Sequence, residues 1–582
     1  MKRRTFASAV LPAIVGLSGC TSLTDGSVRT EEADTAVTTA DSEATERDHS
    51  DTESTASEQA KVEMRLFAPD SYPKGGPGVV GVNSIGQAST DYTYTILLGD
   101  EPLETVSGQI DVGDSYEQRY SVKFGQADSV ELRIEGDPSV VQQSSQTITL
   151  VEPRHEWNQY GGASSNTFRN LRSWGPHHEA TERWTLKERM YGQPVSYDGE
   201  LFVCSTHEGS SLVCLSLDVG DRVWETETND VFEGATVSDG IVYFTEINSG
   251  GRTRAVTTDG NDVWEFEHDT YSNNQRLQSA LPYHVPVVSG ETVFVHSPED
   301  GVFALNKRDG SVVWNTNDVK SICSLAADGG KLYGAGPLTG DLSRSSGTEQ
   351  WIWSIQQDSG EVAWTVRTNV TADPDRYVGP EGETYEPEVR FTPPMVVDGH
   401  VHIGTSHRIK ARGREGGPID DGSNNHLFRI DKDSGDVGYE REVSDYGFPP
   451  APATFRAGVS APLTRIFPGF DSVLCRPSNT SDEWYWVSKE GAKAQFMSDI
   501  LGYSDLTIPT NVAPVCVANG IYFLSIDNNL IQIDYSLEPH KVIEDVGVGR
   551  LESNRGLFVV DSKIIVSGSG GIRVYEQGSG AS

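Results

Sequence analysis

The phrase "ALNKRDGSVVW" (304–314) returns along the chain in altered form, as "CLSLDVGDRVW" (214–224), "AVTTDGNDVW" (255–264), "SIQQDSGEVAW" (354–364) and "RIDKDSGDVGY" (429–439). Each copy is an alternating apolar strand, a polar turn holding Asp and Gly, and a second strand ending in an aromatic residue. A second phrase lies upstream of these: "PVSYDGELFVCS", "ATVSDGIVYFTE", "PVVSGETVFVHS", "PMVVDGHVHIGT" and "PVCVANGIYFLS". Asp-Gly and Asn-Gly between strand-like runs favour a two-residue turn, because both central positions need positive φ. The two hairpins make four antiparallel strands per unit. The aromatic ends at 184, 224, 264, 314, 364 and 439 are 40 (Trp224 to Trp264) to 75 (Trp364 to Tyr439) residues apart. Such a unit cannot cover its own faces, and a four-stranded repeat of this period stacks into a β-propeller.

Full units are expected near 190–227, 232–267, 282–316, 321–367, 391–442, 451–498 and 510–545, the sixth being the most degenerate. The last, "GLFVVDSKIIVSGSGGIRVYEQ" (556–577), has only three strands. Its fourth is expected from "ERWTLKE" (182–188), an outer strand with no unit of its own. Closing the ring with strands from both ends leaves no cut edge. The expectation is an all-β chain whose residues 153–582 form an eight-bladed propeller with N/C-terminal strand closure.

Three segments precede the ring. Residues 62–152 alternate apolar and polar residues in short runs broken by Gly, Asp and Pro, which reads as roughly seven strands of an immunoglobulin-like β-sandwich. Residues 21–61 are rich in Ser, Thr, Asp and Glu and nearly free of large apolar side chains, so they are expected to form a disordered tether. Residues 1–20 begin "MKRRTF", continue through an apolar stretch and end in "LSGC". Arg3 and Arg4 resemble the twin-arginine export signal, and Leu17 to Cys20 resemble a lipobox, whose Cys carries lipid after cleavage. That resemblance implies an exported protein anchored to the outer face of the cell membrane through Cys20.

Charge narrows the setting further. The formal net charge is −39, from 85 acids against 46 bases, and Lys is scarce. An acidic, Lys-poor surface of this kind resembles proteins of halophilic archaea; in molar salt the Debye length is only about 3 Å, so its self-repulsion is screened. No basic patch recommends nucleic acid as a partner. The five remaining cysteines, 204, 214, 323, 475 and 516, form no CxxC pair, and neither a zinc site nor a disulfide framework is suggested. Cys204 and Cys214 read as two buried small residues, with pairing across a hairpin as the alternative.

The segment Ala304-x-Asn306-x-x-Asp309-Gly310-x-x-x-Trp314 resembles the tryptophan-docking motif of quinoprotein-like (PQQ-repeat) propellers. In that family the Trp of one blade packs on the turn of the next. The resemblance implies docking roles for Trp184, Trp224, Trp264, Trp314 and Trp364, with Tyr439 as a substitute. "EWNQYGGASSNTF" (156–168) resembles the leader that precedes such propellers. One branch of the family comprises PQQ- and Ca²⁺-dependent alcohol and sugar dehydrogenases, marked by adjacent cysteines and metal-binding carboxylates. The other holds non-enzymatic propellers such as the BamB-type lipoproteins. This chain lacks a Cys-Cys pair and a Cys-x-x-Cys-His haem motif. The expected role is therefore a non-enzymatic, monomeric binding or scaffolding module for an envelope protein, with dehydrogenase chemistry and surface polysaccharide binding as alternatives.

Other chemistry is sparsely signalled. No Gly-x-Ser-x-Gly, phosphate loop or His-Glu-x-x-His is present. His400 and His402, two apart on a strand, share a face, with His407 beyond; they read as a polar strand face, the alternative being the start of a metal site. The oxygen-rich loops 373–383 and 419–426 lack the spacing of calcium loops. The insertions 368–390 and 406–425 read as loops, and "RYVGPEGETYEPEVRF" (376–391) as the best contact surface. Asn369 and Asn479 head glycosylation sequons.

Overall fold

Asp198-Gly199 and Asp239-Gly240 adopt φ of 50° and 76°, and of 49° and 74°, the double left-handed geometry that turns one strand back beside the next within two residues. Such turns recur through a computed structural model that describes residues 60–68, 71–166, 169–170, 172–176, 179–232, 234–246, 251–268, 284–297, 300–321, 323–336, 351–368, 385–391, 393–397, 399–411, 425–442, 460–462, 472–475, 485–488, 494–496, 515–524, 530–533, 539–543, 546, 554–568 and 570–578. The export signal, Cys20, nearly all of the tether, Asn369, Asn479 and most of both oxygen-rich loops lie outside the described residues.

Sheet 1 runs Met190–Tyr197, Glu200–Ser205, Ser211–Ser216 and Arg222–Glu227, each strand antiparallel to its neighbour. Sheets 2 to 7 follow in chain order at 235–267, 287–316, 326–367, 385–442, 460–496 and 515–543. Sheet 8 is composite: Asn554–Val560, Lys563–Gly568 and Gly571–Gln577 are completed by Ala180–Leu186, which pairs with 572–577. The first strands of consecutive sheets lie against one another from 190–197 through 395–397 and from 460–462 through 554–560, and 554–560 lies against 190–197. The chain is thus closed on itself as a β-propeller, by the segment holding Trp184.

The core sits between sheets rather than inside any one of them. Phe202, Cys204 and Cys214 of sheet 1 pack with Phe232, Val237 and Phe244 of sheet 2, and Tyr333 and Ile352 of sheet 4 pack with Val401, Ile403 and Phe428 of sheet 5. Burying a residue such as Phe or Leu contributes about 1.5–3 kcal/mol, and here nearly all of it is realised only when a neighbour is present.

Two features depart from the simple repeat. Tyr385–Phe391 pairs with Thr405–Ala411, which stretches the second strand of sheet 5 to twelve residues, His400–Ala411. Residues 385–390 of the insertion 368–390 are therefore strand and not loop, and so are 406–411 of the insertion 406–425. Pro387 disguises it in the sequence; an edge strand accepts Pro because no neighbour needs its missing N–H. The second departure is Arg169–Asn170, which joins sheet 7 parallel to Cys516–Val517.

By contacts the chain divides into two compact units, one containing 81–118 and 132–145, the other 67–80, 119–131 and 146 onward. In the first, Thr90–Leu98 pairs with Glu101–Ile110 and with 132–136. Tyr94 is buried there, its hydroxyl 3.0 Å from Ser84 and donating to Gln118 at 2.8 Å. Burial pushes that phenol up to about 12.

Candidate functional site

The outer strands of sheets 8, 1, 2, 3 and 4 each carry an indole that reaches the next sheet. Trp264 of sheet 2 donates its Nε1–H to the Lys307 carbonyl of sheet 3 at 3.0 Å. Trp184, Trp224, Trp314 and Trp364 donate likewise to Leu217, Thr258, Gln357 and Lys432 at 2.9, 2.6, 2.9 and 3.1 Å. The acceptor always precedes a left-handed Gly at the turn, and the indole lies over that Gly. At Gly310, with φ of 71°, an added Cβ would stand 2.7 Å from Trp264 Cδ2. Gly220, Gly260, Gly360 and Gly435 are crowded in the same way by Trp184, Trp224, Trp314 and Trp364. Behind each of four of these indoles stands an aromatic ring of its own sheet: Phe202, Tyr243, Phe294 and Tyr333 lie 6.0, 5.8, 5.9 and 6.0 Å from Trp224, Trp264, Trp314 and Trp364. The side chain of Tyr439 lies outside the described residues.

Ion pairs follow the same junctions. Lys307, its side chain only 7% exposed, brings its ammonium against the Asp239 carboxylate in the turn of sheet 2. Lys331 and Lys432 bridge sheets 4 and 5 through Asp433 and Asp328, and Lys563 bridges sheets 8 and 1 through Asp218. The hydrogen bond it donates to Asp328 raises Lys432 above the usual ammonium range.

A histidine group that sequence spacing does not reveal lies between sheets 2 and 3. His284 and His296 stack with ring centres 5.1 Å apart, and His268 Nε2 is 2.9 Å from the Thr253 hydroxyl. His268 Nδ1 and His296 Nε2 have no partner among the described residues. Burial drives all three below the usual value, His268 to about 4 and His284 to about 3, so near neutral pH they are uncharged. Their partners come from different sheets, and no local motif could have announced them.

His400 and His402 share their strand with ring centres 6.4 Å apart, but their settings differ. His400 Nδ1 meets Arg429 Nη2 at 3.3 Å, whereas His402 is buried and lowered to about 3. The side chain of His407 lies outside the described residues. Cys204, Cys214 and Cys323 are free and buried. Desolvation raises Cys204 and Cys323 to about 12 and Cys214 likewise upward, which leaves protonated, poorly nucleophilic thiols. Among the described residues no group of three His, Cys, Asp or Glu could hold a metal ion. The carboxylate cradle and adjacent cysteines that a quinone–calcium centre implies are thus not found in the described part.

Residues 176–437 match the family described as Outer membrane protein assembly factor BamB. Similar solved structures include BamB from Moraxella catarrhalis, 15% identical, covering 69% of this chain and 99% of that one with a TM-score of 0.42. A europium-containing methanol dehydrogenase is 13% identical, covering 72% and 90% with a TM-score of 0.43. Sqt1 of Saccharomyces cerevisiae is 8% identical, covering 70% and 99% with a TM-score of 0.42. No curated protein matches the chain. The closed succession of four-stranded sheets makes residues 180–577 a β-propeller.

Proposed function

We propose that this propeller is a non-enzymatic protein-binding scaffold, held at the outer face of a cell membrane by lipid on Cys20. On this reading it has eight blades, follows an immunoglobulin-like module and a disordered tether, and works in the concentrated salt of a halophilic archaeon's surroundings. The observation that supports it best is the use made of the repeated residues. The indoles, turn glycines and lysines that recur from sheet to sheet are engaged with one another at the junctions, and the buried thiols and imidazoles are held in unreactive forms. The match over 176–437 to a family described as an assembly factor agrees with it.

Protein purified from membranes in molar salt should carry lipid on Cys20, contain no stoichiometric PQQ or metal, and show no dye-linked oxidation of alcohols or sugars. Cys20→Ser should release it from the membrane fraction. Crosslinking on intact cells should trap a defined envelope protein. Stoichiometric quinone with substrate-dependent dye reduction would replace the scaffold by a dehydrogenase; retention on surface polysaccharide with no protein crosslink would replace the partner class.

A further inference from the structure

The first strand of each sheet has a neighbour on one side only, so its other edge offers backbone groups that must find partners elsewhere. The segment from Arg154 to Pro176 meets these edges in turn. His155 contacts Asp561 and Trp157 stacks on Phe558, both in sheet 8. Trp157 exchanges backbone hydrogen bonds of 3.0 and 2.9 Å with Ser196 of sheet 1, and the Asn158 carbonyl accepts from Val237 N–H of sheet 2 at 2.7 Å. The Gln159 amide imitates a backbone and bonds both the N–H and the carbonyl of Val288 in sheet 3, each at 3.2 Å. The Ser164 carbonyl accepts from Ala327 N–H of sheet 4 at 2.7 Å, and that of Ser165 from Val396 N–H of sheet 5 at 2.9 Å.

The side chain of Asn166, 2% exposed, donates to the carbonyls of Leu325 and Pro394 and so ties the approach to sheet 4 to that of sheet 5. The chain then reaches sheet 7, where Arg169–Asn170 pairs with Cys516–Val517 and Asn519 bonds both the N–H and the carbonyl of Gly175. The order of contact, sheets 8, 1, 2, 3, 4, 5 and 7, is the order of the ring. The bonded strand residues, Ser196, Val237, Val288, Ala327 and Val396, each lie one or two positions before the turn that ends their strand. They therefore mark one circle near one end of the inner strands.

We propose that residues 154–176 are a strap that locks the ring from within, a second closure independent of the pairing between 180–186 and 571–577. The outer closure joins sheet 8 to itself and guards one junction. The strap joins seven sheets, each through at least one contact, and it completes inner edges that the blades leave open. It also ties everything upstream of residue 154 to the ring by contacts other than the covalent chain.

The test is made on the full-length protein with a protease recognition sequence inserted between His177 and His178, after the strap and before the outer closure. Once cut, the segment ending at 177 should remain with the ring through native size-exclusion chromatography and part from it only in denaturant. Asn166→Ala combined with Gln159→Ala should turn retention into release after the cut. In the uncut protein, the amides of Val237, Val288, Ala327, Val396 and Ala518, the last donating to the Ser173 carbonyl at 2.9 Å, should exchange with solvent as slowly as strand amides. Release of the wild-type segment, retention undiminished by the double substitution, or turn-like exchange at those five amides would each overturn the proposal. The exchange measurement decides the matter if the substituted protein fails to fold.

Discussion

Gly310→Ala isolates what the repeated turn is for. Two costs are added by a single methyl. Holding a non-glycine residue at φ of 71° costs about 1–2 kcal/mol. The new Cβ would also stand 2.7 Å from both Cδ2 and Cε3 of Trp264, and relieving such overpacking typically costs about 1–3 kcal/mol more. The expected loss is therefore about 2–5 kcal/mol. Gly199→Ala is the control: its φ is 76°, but its Cβ would meet nothing within 4 Å, so only the first cost applies. The two variants should differ by the docking contact alone. Urea unfolding at fixed molar salt is the suitable assay, since guanidinium would change the screening of a −39 chain during the titration. A double-mutant cycle completes the test. Trp264→Leu removes the ring and its N–H donor, although the Lys307 carbonyl still accepts from the Tyr243 hydroxyl at 3.1 Å. In that background Gly310→Ala should cost no more than Gly199→Ala. Equal losses for the two glycine variants in the wild-type background would refute the docking account.

Acid should unfold the ring through its buried imidazoles. These are depressed in the folded state, so stability is flat above about pH 6.5; below it the unfolded chain takes up protons that the native one refuses. Each such histidine removes about 1.4 kcal/mol per pH unit until its folded value is passed, near 4 for His268 and near 3 for His284 and His402. His402→Gln should lower that slope by one proton, read from urea midpoints between pH 7 and 5. Asp239→Asn keeps a residue suited to positive φ but leaves the Lys307 ammonium without its carboxylate; with Asp239 itself 78% exposed, a loss of about 1 kcal/mol is expected by the same titration. Gly571→Ala would put a Cβ 1.8 Å from the Leu186 carbonyl, so limited proteolysis should find 180–186 released from sheet 8. Iodoacetamide at pH 8 should leave Cys204, Cys214 and Cys323 unlabelled in the native protein and label all three after unfolding, read by peptide mass spectrometry.

The parts of the fold that the sequence discloses are those whose reasons are local. An Asp-Gly turn fixes its own φ, and Trp224, Trp264, Trp314 and Trp364, each four residues after a turn glycine, all reach the next sheet, so the docking indoles and the closing segment around Trp184 could be named from spacing. The strap could not. Gln159 and Val288 are 129 residues apart, and Asn166 and Pro394 are 228 apart; nothing in "NQYGGASSN" distinguishes a strap from a polar linker. The histidine group was hidden for the same reason, since His268, His284 and His296 meet only because sheets 2 and 3 do. Tyr385–Phe391 was concealed differently: Pro387 interrupts its strand alternation in the sequence.

Charge and architecture then fit together. In a chain this acidic, most added carboxylates only repel, and a Lys left on the surface would offset little of that. Lys307, Lys331, Lys432 and Lys563 stand instead where one sheet meets another, each with most of its side chain covered and an Asp of the neighbouring sheet within reach. The two kinds of charge respond to salt unequally. Repulsion acts between exposed groups many ångströms apart and is screened once the Debye length shrinks to about 3 Å. The junction pairs are in contact, and the lysine of each is largely covered although its Asp is more exposed, so screening reaches them less than it reaches distant surface charges. Raising the salt therefore removes most of what pushes the sheets apart while sparing what holds them together. A ring that depends on each sheet finding its neighbour gains from that asymmetry at every junction that carries a pair.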